Sequence, residues 1–214
     1  MTGDRRSTRR EPTRRGVLAA GLLGGLLPAL GARAHEAEPF VLPEEFEPTL
    51  VRLDAGLSPG EIHVLPNRFQ LYWTLADGEA IRFAIGVGRP GLYHAGRFVV
   101  GDKREWPSWK PTPAMIERDP AAYARYADGM PGGPDNPLGA RALYLFDEAG
   151  RDTFLRIHGT NDPRTIGTAV SNGCARLTND HIVLLYDLVP IGTRVFLYRQ
   201  GVPEALAGTG GEGA

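Results

Sequence analysis

From residue 61 onward the apolar residues come in short runs, each cut off by Gly, Pro, Asp or Asn. Runs of that length bounded by turn residues mark β-strands, and a chain made of them must bury its core between sheets. The predicted strands are Glu61–Leu65, Phe69–Leu75, Ala80–Val87, Arg97–Lys103, Ala140–Phe146, Thr153–Gly159 and Arg194–Tyr198. Asp77-Gly78 between the second and third runs marks a hairpin. One stretch differs: Ile182, Leu185, Tyr186 and Val189 recur at helical spacing, Thr178 precedes them as a cap, and Pro190 and Gly192 follow. This predicts a helix ending at Leu188. Short helices are predicted over Ala114–Arg118 and Pro120–Tyr126, inside a loop that opens at Trp106-Pro107 and closes through Gly129–Gly139. Loops that long in a small domain are more often functional than accidental. The 28 Gly and 18 Pro follow no period, which excludes collagen. The expected fold is mainly β, sandwich-like or barrel-like, with one principal helix near the C-terminus and short helices in loops.

The first 34 residues read as an address. Seven arginines stand there against two acids, followed by an apolar run of 14 residues from Val17 to Leu30 and by Ala32-Arg33-Ala34. That is the layout of a cleaved export signal. A membrane span needs about 20 residues, so no permanent membrane anchor is expected. Arg14-Arg15 directly before the apolar run resembles a twin-arginine signal, with the periplasm as destination. Residues 35–60 are read as an extended acidic N-terminal segment, 61–200 as the working domain and 201–214 as a flexible Gly/Ala-rich tail. Formal net charge is −1, with no basic stripe in the body, so nucleic acid is not an expected partner.

The single cysteine, Cys174, rules out an internal disulfide and a Cys-rich zinc site. A lone cysteine is most often a small buried apolar residue. Here its neighbours are polar or small, in Ser171-Asn172-Gly173-Cys174-Ala175-Arg176. Gly173 permits a tight turn that presents the thiol and aims adjacent N–H groups at one point, as an oxyanion hole requires. At pH 7 only roughly 3% of an unperturbed thiol is thiolate, so a nucleophilic cysteine needs a base, or an imidazolium that lowers its pKa. Of five histidines, His35 lies near the N-terminus, His63 sits inside a strand as a structural residue, and His94 and His181 are expected to be solvated. His158 closes a strand and precedes Gly159-Thr160, where a catalytic side chain is readily displayed. On the residues alone, a His158–Cys174 pair and a purely structural role for both stay open.

The ordered set Ile157-His158-Gly159-Thr160, Ile166-Gly167 and Ser171-Asn172-Gly173-Cys174-Ala175-Arg176 closely resembles the signature of the YkuD (ErfK/YbiS/YcfS/YnhG) L,D-transpeptidases. The resemblance extends through Gly86-Val87-Gly88-Arg89, Trp106-Pro107-Ser108-Trp109 and Asn136-Pro137-Leu138-Gly139, and downstream through Leu185-Tyr186 and Gly192-Thr193-Arg194-Val195. Two residues depart from the usual pattern: Asn172 stands where many members have His, and Ala175 where a bulkier aliphatic is usual. The resemblance implies a YkuD-type domain in which Cys174 is the nucleophile and His158 the base. A carbonyl near the histidine, assigned to Gly159, would be the third member. Gly173 and Cys174 N–H groups would form the oxyanion hole, with Ser171 and Asn172 supporting the loop, and Arg176 would orient the loop or bind a stem carboxylate. The implied reaction attacks the L-centre carbonyl of meso-diaminopimelate in a donor tetrapeptide stem of peptidoglycan. It releases D-alanine and passes the acyl group to an amine of a second stem or of an outer-membrane protein. A hydrolase on the same stem and a non-catalytic wall-binding module are the alternatives. No metal and no organic cofactor are implied.

Overall fold

The computed structural model describes residues 40–53 and 56–200; the export signal and the C-terminal tail read from the sequence lie outside them. Eleven strands are formed among the described residues: β1 (Thr49–Arg52), β2 (Glu61–Leu65), β3 (Gln70–Thr74), β4 (Glu79–Ala84), β5 (Val87–Gly88), β6 (Gly96–Glu105), β7 (Arg141–Phe146), β8 (Asp152–His158), β9 (Ala169–Ser171), β10 (Ala175–Arg176) and β11 (Arg194–Leu197). Nine join one sheet in the order β1-β4-β3-β2-β11-β6-β7-β8-β10, and β5 and β9 pair separately. Three α-helices accompany them among the described residues: α1 (Pro113–Arg118), α2 (Pro120–Tyr123) and α3 (Asn179–Leu188). The domain is mainly β, of the class the sequence leads one to expect.

One core binds these pieces. Ile62 and Leu71 from β2–β3, Phe83 from β4, Leu143 and Ile157 from β7–β8, and Ile182 and Leu185 from α3 are fully buried together. Each such side chain contributes roughly 1.5–3 kcal/mol relative to exposure. Thr178 caps α3, its hydroxyl accepting from His181 N–H at 3.3 Å. Thr112 and Asp119 cap α1 and α2, each ahead of a proline at the first helical position. The Asp77-Gly78 hairpin is present, with both residues in the left-handed region (φ 57° and 75°).

Two features depart from the sequence reading. The acidic N-terminal segment contains a strand, since Thr49–Arg52 adds antiparallel to β4 as the sheet's edge. The run Ala80–Val87 is not one strand. At Gly86 the chain leaves β3 and exchanges both backbone hydrogen bonds with Arg176, each 2.8 Å, so that Val87–Gly88 pairs with β9 instead. This crossing brings the Gly86–Arg89 segment under the loop that carries Cys174.

Candidate active site

β8 and β10 run parallel, with Ala175 beside Ile157 and Arg176 beside His158. That register delivers the end of β8 and the loop before β10 to one place. His158, Cys174 and Arg176 line a single cavity of about 910 Å³. Another wall comes from the 106–139 segment, where Trp109 packs against the rings of Tyr123 and Tyr126, at 6.3 and 5.7 Å between centroids.

The loop is tied by its own first residue. Ser171 Oγ donates to the Cys174 carbonyl at 2.6 Å and accepts the Gly173 N–H at 3.2 Å. Gly173 has φ 128°, and a Cβ there would meet Leu92 O at 2.9 Å, so only glycine fits. A Cβ on Gly88 would come within 2.9 Å of Gly173 Cα, so β5 reaches the loop only because this residue too is glycine. The Ser171 tie changes the expected oxyanion hole. The Gly173 N–H is committed to Ser171, while the Cys174 N–H makes no hydrogen bond among the described residues. One backbone donor of the expected two is free.

Cys174 is half-buried, its Sγ 4.0 Å from the Phe154 carbonyl oxygen. Phe154 sits in a bulge of β8 with φ 61°, lines the cavity and is 70% exposed as a residue. A non-glycine residue in that region costs of order 1–3 kcal/mol, and such strain collects at functional sites. Sequence reasoning missed Phe154, because nothing in Asp152-Thr153-Phe154-Leu155 signals a left-handed residue. Burial pushes the Cys174 thiol pKa up, while the Arg156 backbone N–H and the Arg156 and Arg176 charges pull it down.

His158 is buried, and its Nδ1 lies 2.6 Å from the Gly159 carbonyl. That oxygen can only accept, so Nδ1 carries the hydrogen and Nε2 keeps its lone pair. Burial, then the Arg176 charge, holds the imidazole pKa down to about 3, against the Gly159 carbonyl, which favours the protonated ring. The resting site is therefore neutral thiol and neutral imidazole.

Arg176 supplies the charge. No carboxylate is paired with it among the described residues, and its Nε and Nη2 are buried without hydrogen-bond partners. The nearby acid, Asp162, is held by Arg164 at 2.7 Å. The Arg176 cation thus stands where it opposes an imidazolium and favours negative charge on sulfur. Asn172 binds outward: its amide donates to Tyr123 Oη at 2.8 Å, and its Oδ1 accepts from Arg118 at 2.7 Å and Arg89 at 3.4 Å.

Of the other histidines, only His94 reaches this cavity among the described residues, at its rim with Nδ1 2.8 Å from the Leu92 carbonyl oxygen. His63 is buried against Glu61 (3.1 Å) and Tyr198 (2.9 Å). His94 is exposed, and His35 lies outside the described residues. His181, expected in solvent, is buried against Glu47 at 3.1 Å, because the first turn of α3 is covered by the N-terminal segment. Among the described residues no three His, Cys, Asp or Glu side chains converge as a metal site would need, and no helix is long and apolar enough to cross a membrane.

The model of the YkuD family, described as the L,D-transpeptidase catalytic domain, matches residues 59–197. The chain belongs to the YkuD L,D-transpeptidases. Among curated relatives of this chain, the probable L,D-transpeptidase ErfK/SrfK of Escherichia coli K12 is 40% identical over 140 residues, covering 62% of this chain and 42% of that protein. The probable L,D-transpeptidase YbiS of the same organism is 39% identical over 126 residues, covering 58% and 39%. The chain thus spans about two fifths of the length of these relatives. A crystal structure from Brucella melitensis, described as a probable carnitine operon oxidoreductase CaiA, is 48% identical with a TM-score of 0.50, covering 72% of this chain and 93% of that one.

Proposed function

We propose that this transpeptidase works on peptidoglycan stem peptides by a cysteine thioester mechanism, with Cys174 as nucleophile and His158 as its general base. The observation that carries the reading is the neutral His158 ring, locked through Nδ1 onto Gly159 O at 2.6 Å, in one cavity with the molecule's one thiol. His158 Nε2 takes the S–H proton as sulfur attacks the carbonyl carbon of the diaminopimelate L-centre. The oxyanion faces the free Cys174 N–H, in the field of Arg176. When the C–N bond to D-alanine breaks, the same proton passes to the leaving amine, and a thioester remains. An acceptor amine then attacks the thioester and gives its proton to His158. His158 returns it to the departing sulfur, so no proton or electron is left over.

The acceptor is an amine of a second stem, giving a 3→3 link, or of an outer-membrane protein. The Arg14-Arg15 signal would carry the chain to the periplasm, where its substrate lies.

The test is mass spectrometry of tetrapeptide muropeptides incubated with the protein. Cross-linked dimers and free D-alanine are expected, with a thioester on Cys174 trapped at short times. Release of D-alanine by Cys174→Ser at the unmutated rate would overturn the mechanism. Tripeptide as sole product would replace transfer by hydrolysis.

A further inference from the structure

Asn172 is the meeting point of two cations. Its Oδ1 accepts from the Arg118 guanidinium at 2.7 Å and from that of Arg89 at 3.4 Å, while its Nδ2 donates to Tyr123 Oη at 2.8 Å. The amide orientation follows from that set: two pure donors face its oxygen, and the phenol oxygen accepts from its nitrogen. Two like charges thus converge on one neutral oxygen, and no carboxylate among the described residues is paired with either. The adjacent Asp119 carboxylate is turned to the Ala122 N–H, which it caps at 3.0 Å. Arg118 and Asn172 line the same cavity as Cys174. The charged side chains of that wall are lopsided: Lys110, Arg118, Arg156 and Arg176 stand against Asp135. Of these, only Arg156 is ion-paired among the described residues, held by Asp152 at 2.7 Å, and Arg118, exposed beside Asn172, carries its charge without a carboxylate partner, as Lys110 and Arg176 do.

We propose that Arg118 and Arg89, gathered on Asn172, form a subsite for a free carboxylate of the stem peptide, so that the enzyme selects stems whose side-chain carboxyls are not amidated. The proposal rests on the stem-peptide reading above and narrows it to one substrate class. A carboxylate bridging the two guanidiniums replaces their mutual repulsion with charge-assisted hydrogen bonds, for which the planar fork of arginine is suited. An amidated stem offers a neutral group there and gains none of this. Asn172 acts as the positioning residue: it orients both forks without neutralising them, as Asp at this place would, and ties α2 to the catalytic loop through Tyr123. The arginines are solvent-exposed, so the selectivity expected is about 10-fold and falls as salt rises.

The experiment compares the full chain on two tetrapeptide stems, one with free side-chain carboxyls and one with those carboxyls amidated. Acyl-enzyme formation and transfer to acceptor amine are timed separately by intact-protein mass. The free-acid stem is expected to react about 10-fold faster at low salt. Arg118→Gln, Arg89→Gln and Asn172→Asp should each bring that ratio toward one, while Arg125→Gln, which removes the same charge from the turn after α2 at a residue that does not line the cavity, leaves it unchanged. Alkylation of Cys174 by neutral iodoacetamide should proceed at equal rates in all of them, as a check on site integrity. Discrimination in acylation assigns the carboxylate to the donor stem, and discrimination confined to transfer assigns it to the acceptor. A ratio of one in the unmutated protein, or a ratio that survives Arg118→Gln together with Arg89→Gln, overturns the proposal. If neither stem reacts, the transpeptidase mechanism fails. The subsite is then judged by titrating Cys174→Ala with both peptides, where equal affinities overturn it and a preference lost with the arginines upholds it.

Discussion

His158 gives its Nδ1 hydrogen to the carbonyl of its own chain neighbour Gly159, 2.6 Å away, and lines the cavity that also holds Cys174. The main chain, rather than an acidic side chain, orients the ring. A neutral carbonyl does little to stabilise an imidazolium, and Arg176 nearby disfavours it, which is why the ring stays neutral down to about pH 3.

Stability should therefore fall in acid in a window set by this residue. The folded pKa lies near 3, below the ordinary 6.5, so between those values the unfolded chain binds the extra proton. The contribution is fully present above about pH 6.5 and is lost as pH falls toward 3, at no more than about 1.4 kcal/mol per pH unit. His63, lowered chiefly by burial, adds in the same direction. Urea unfolding at pH 7.5, 6.5, 5.5 and 4.5 should show the decline, and His158→Gln should make it shallower. An unchanged slope in His158→Gln would mean that the ring titrates alike in both states.

Ser171 is the fastening of the loop that carries Cys174, through a hydroxyl that serves both Cys174 O and Gly173 N–H. Ser171→Ala removes both partners and should cost about 1–3 kcal/mol of unfolding free energy. Acylation should slow by at least about 10-fold, because a misplaced nucleophile forfeits orientation. Ser171→Thr keeps the hydroxyl and should recover most of the rate. Unfolding curves and the acylation rate of all three proteins check this, and full activity in Ser171→Ala would show that the loop holds itself by other means.

What could be read from the sequence was what is local. Glu61–Leu65 and the Thr178-capped helix carry their signals within a few residues, and both formed where the pattern placed them. The two-residue strand Ala175–Arg176 and the edge strand Thr49–Arg52 are too short for alternation to show. Gly86 belongs by pattern to the strand before it, but its partner is Arg176, ninety residues on, and no local signal carries that pairing. The candidate site divides in the same way. His158, Cys174 and Arg176 are a motif, whereas the left-handed Phe154 and the grip of Arg89, Arg118 and Tyr123 on Asn172 depend on contacts between distant segments.

Export should depend on the arginine pair. Arg14→Lys with Arg15→Lys keeps the charge of the leader but replaces the side chains that a twin-arginine receptor reads, so the periplasmic fraction should fall to background while precursor accumulates. Cell fractionation with immunoblotting measures it. An unchanged periplasmic yield would show that the general secretory route suffices.

A carbapenem should acylate the protein once, at Cys174. The strained β-lactam carbonyl presents sulfur with the same electrophile as a stem amide, and ring opening keeps the leaving nitrogen on the adduct, so the thioester persists. With one thiol in the chain, a thioester can form nowhere else. Because the resting pair is neutral, His158 is needed to take the S–H proton as the bond forms. His158→Ala should slow the reaction by about 10²–10⁴-fold at pH 7. Raising the pH should recover part of that loss, since thiolate then forms without a base, and recovery should come late because burial holds the Cys174 pKa above its ordinary value. Intact mass after timed incubation, followed by peptide mapping, gives both rate and position. Equal labelling of His158→Ala and the unmutated protein at pH 7 would remove the histidine from proton transfer and leave Cys174 reacting through its own small thiolate fraction.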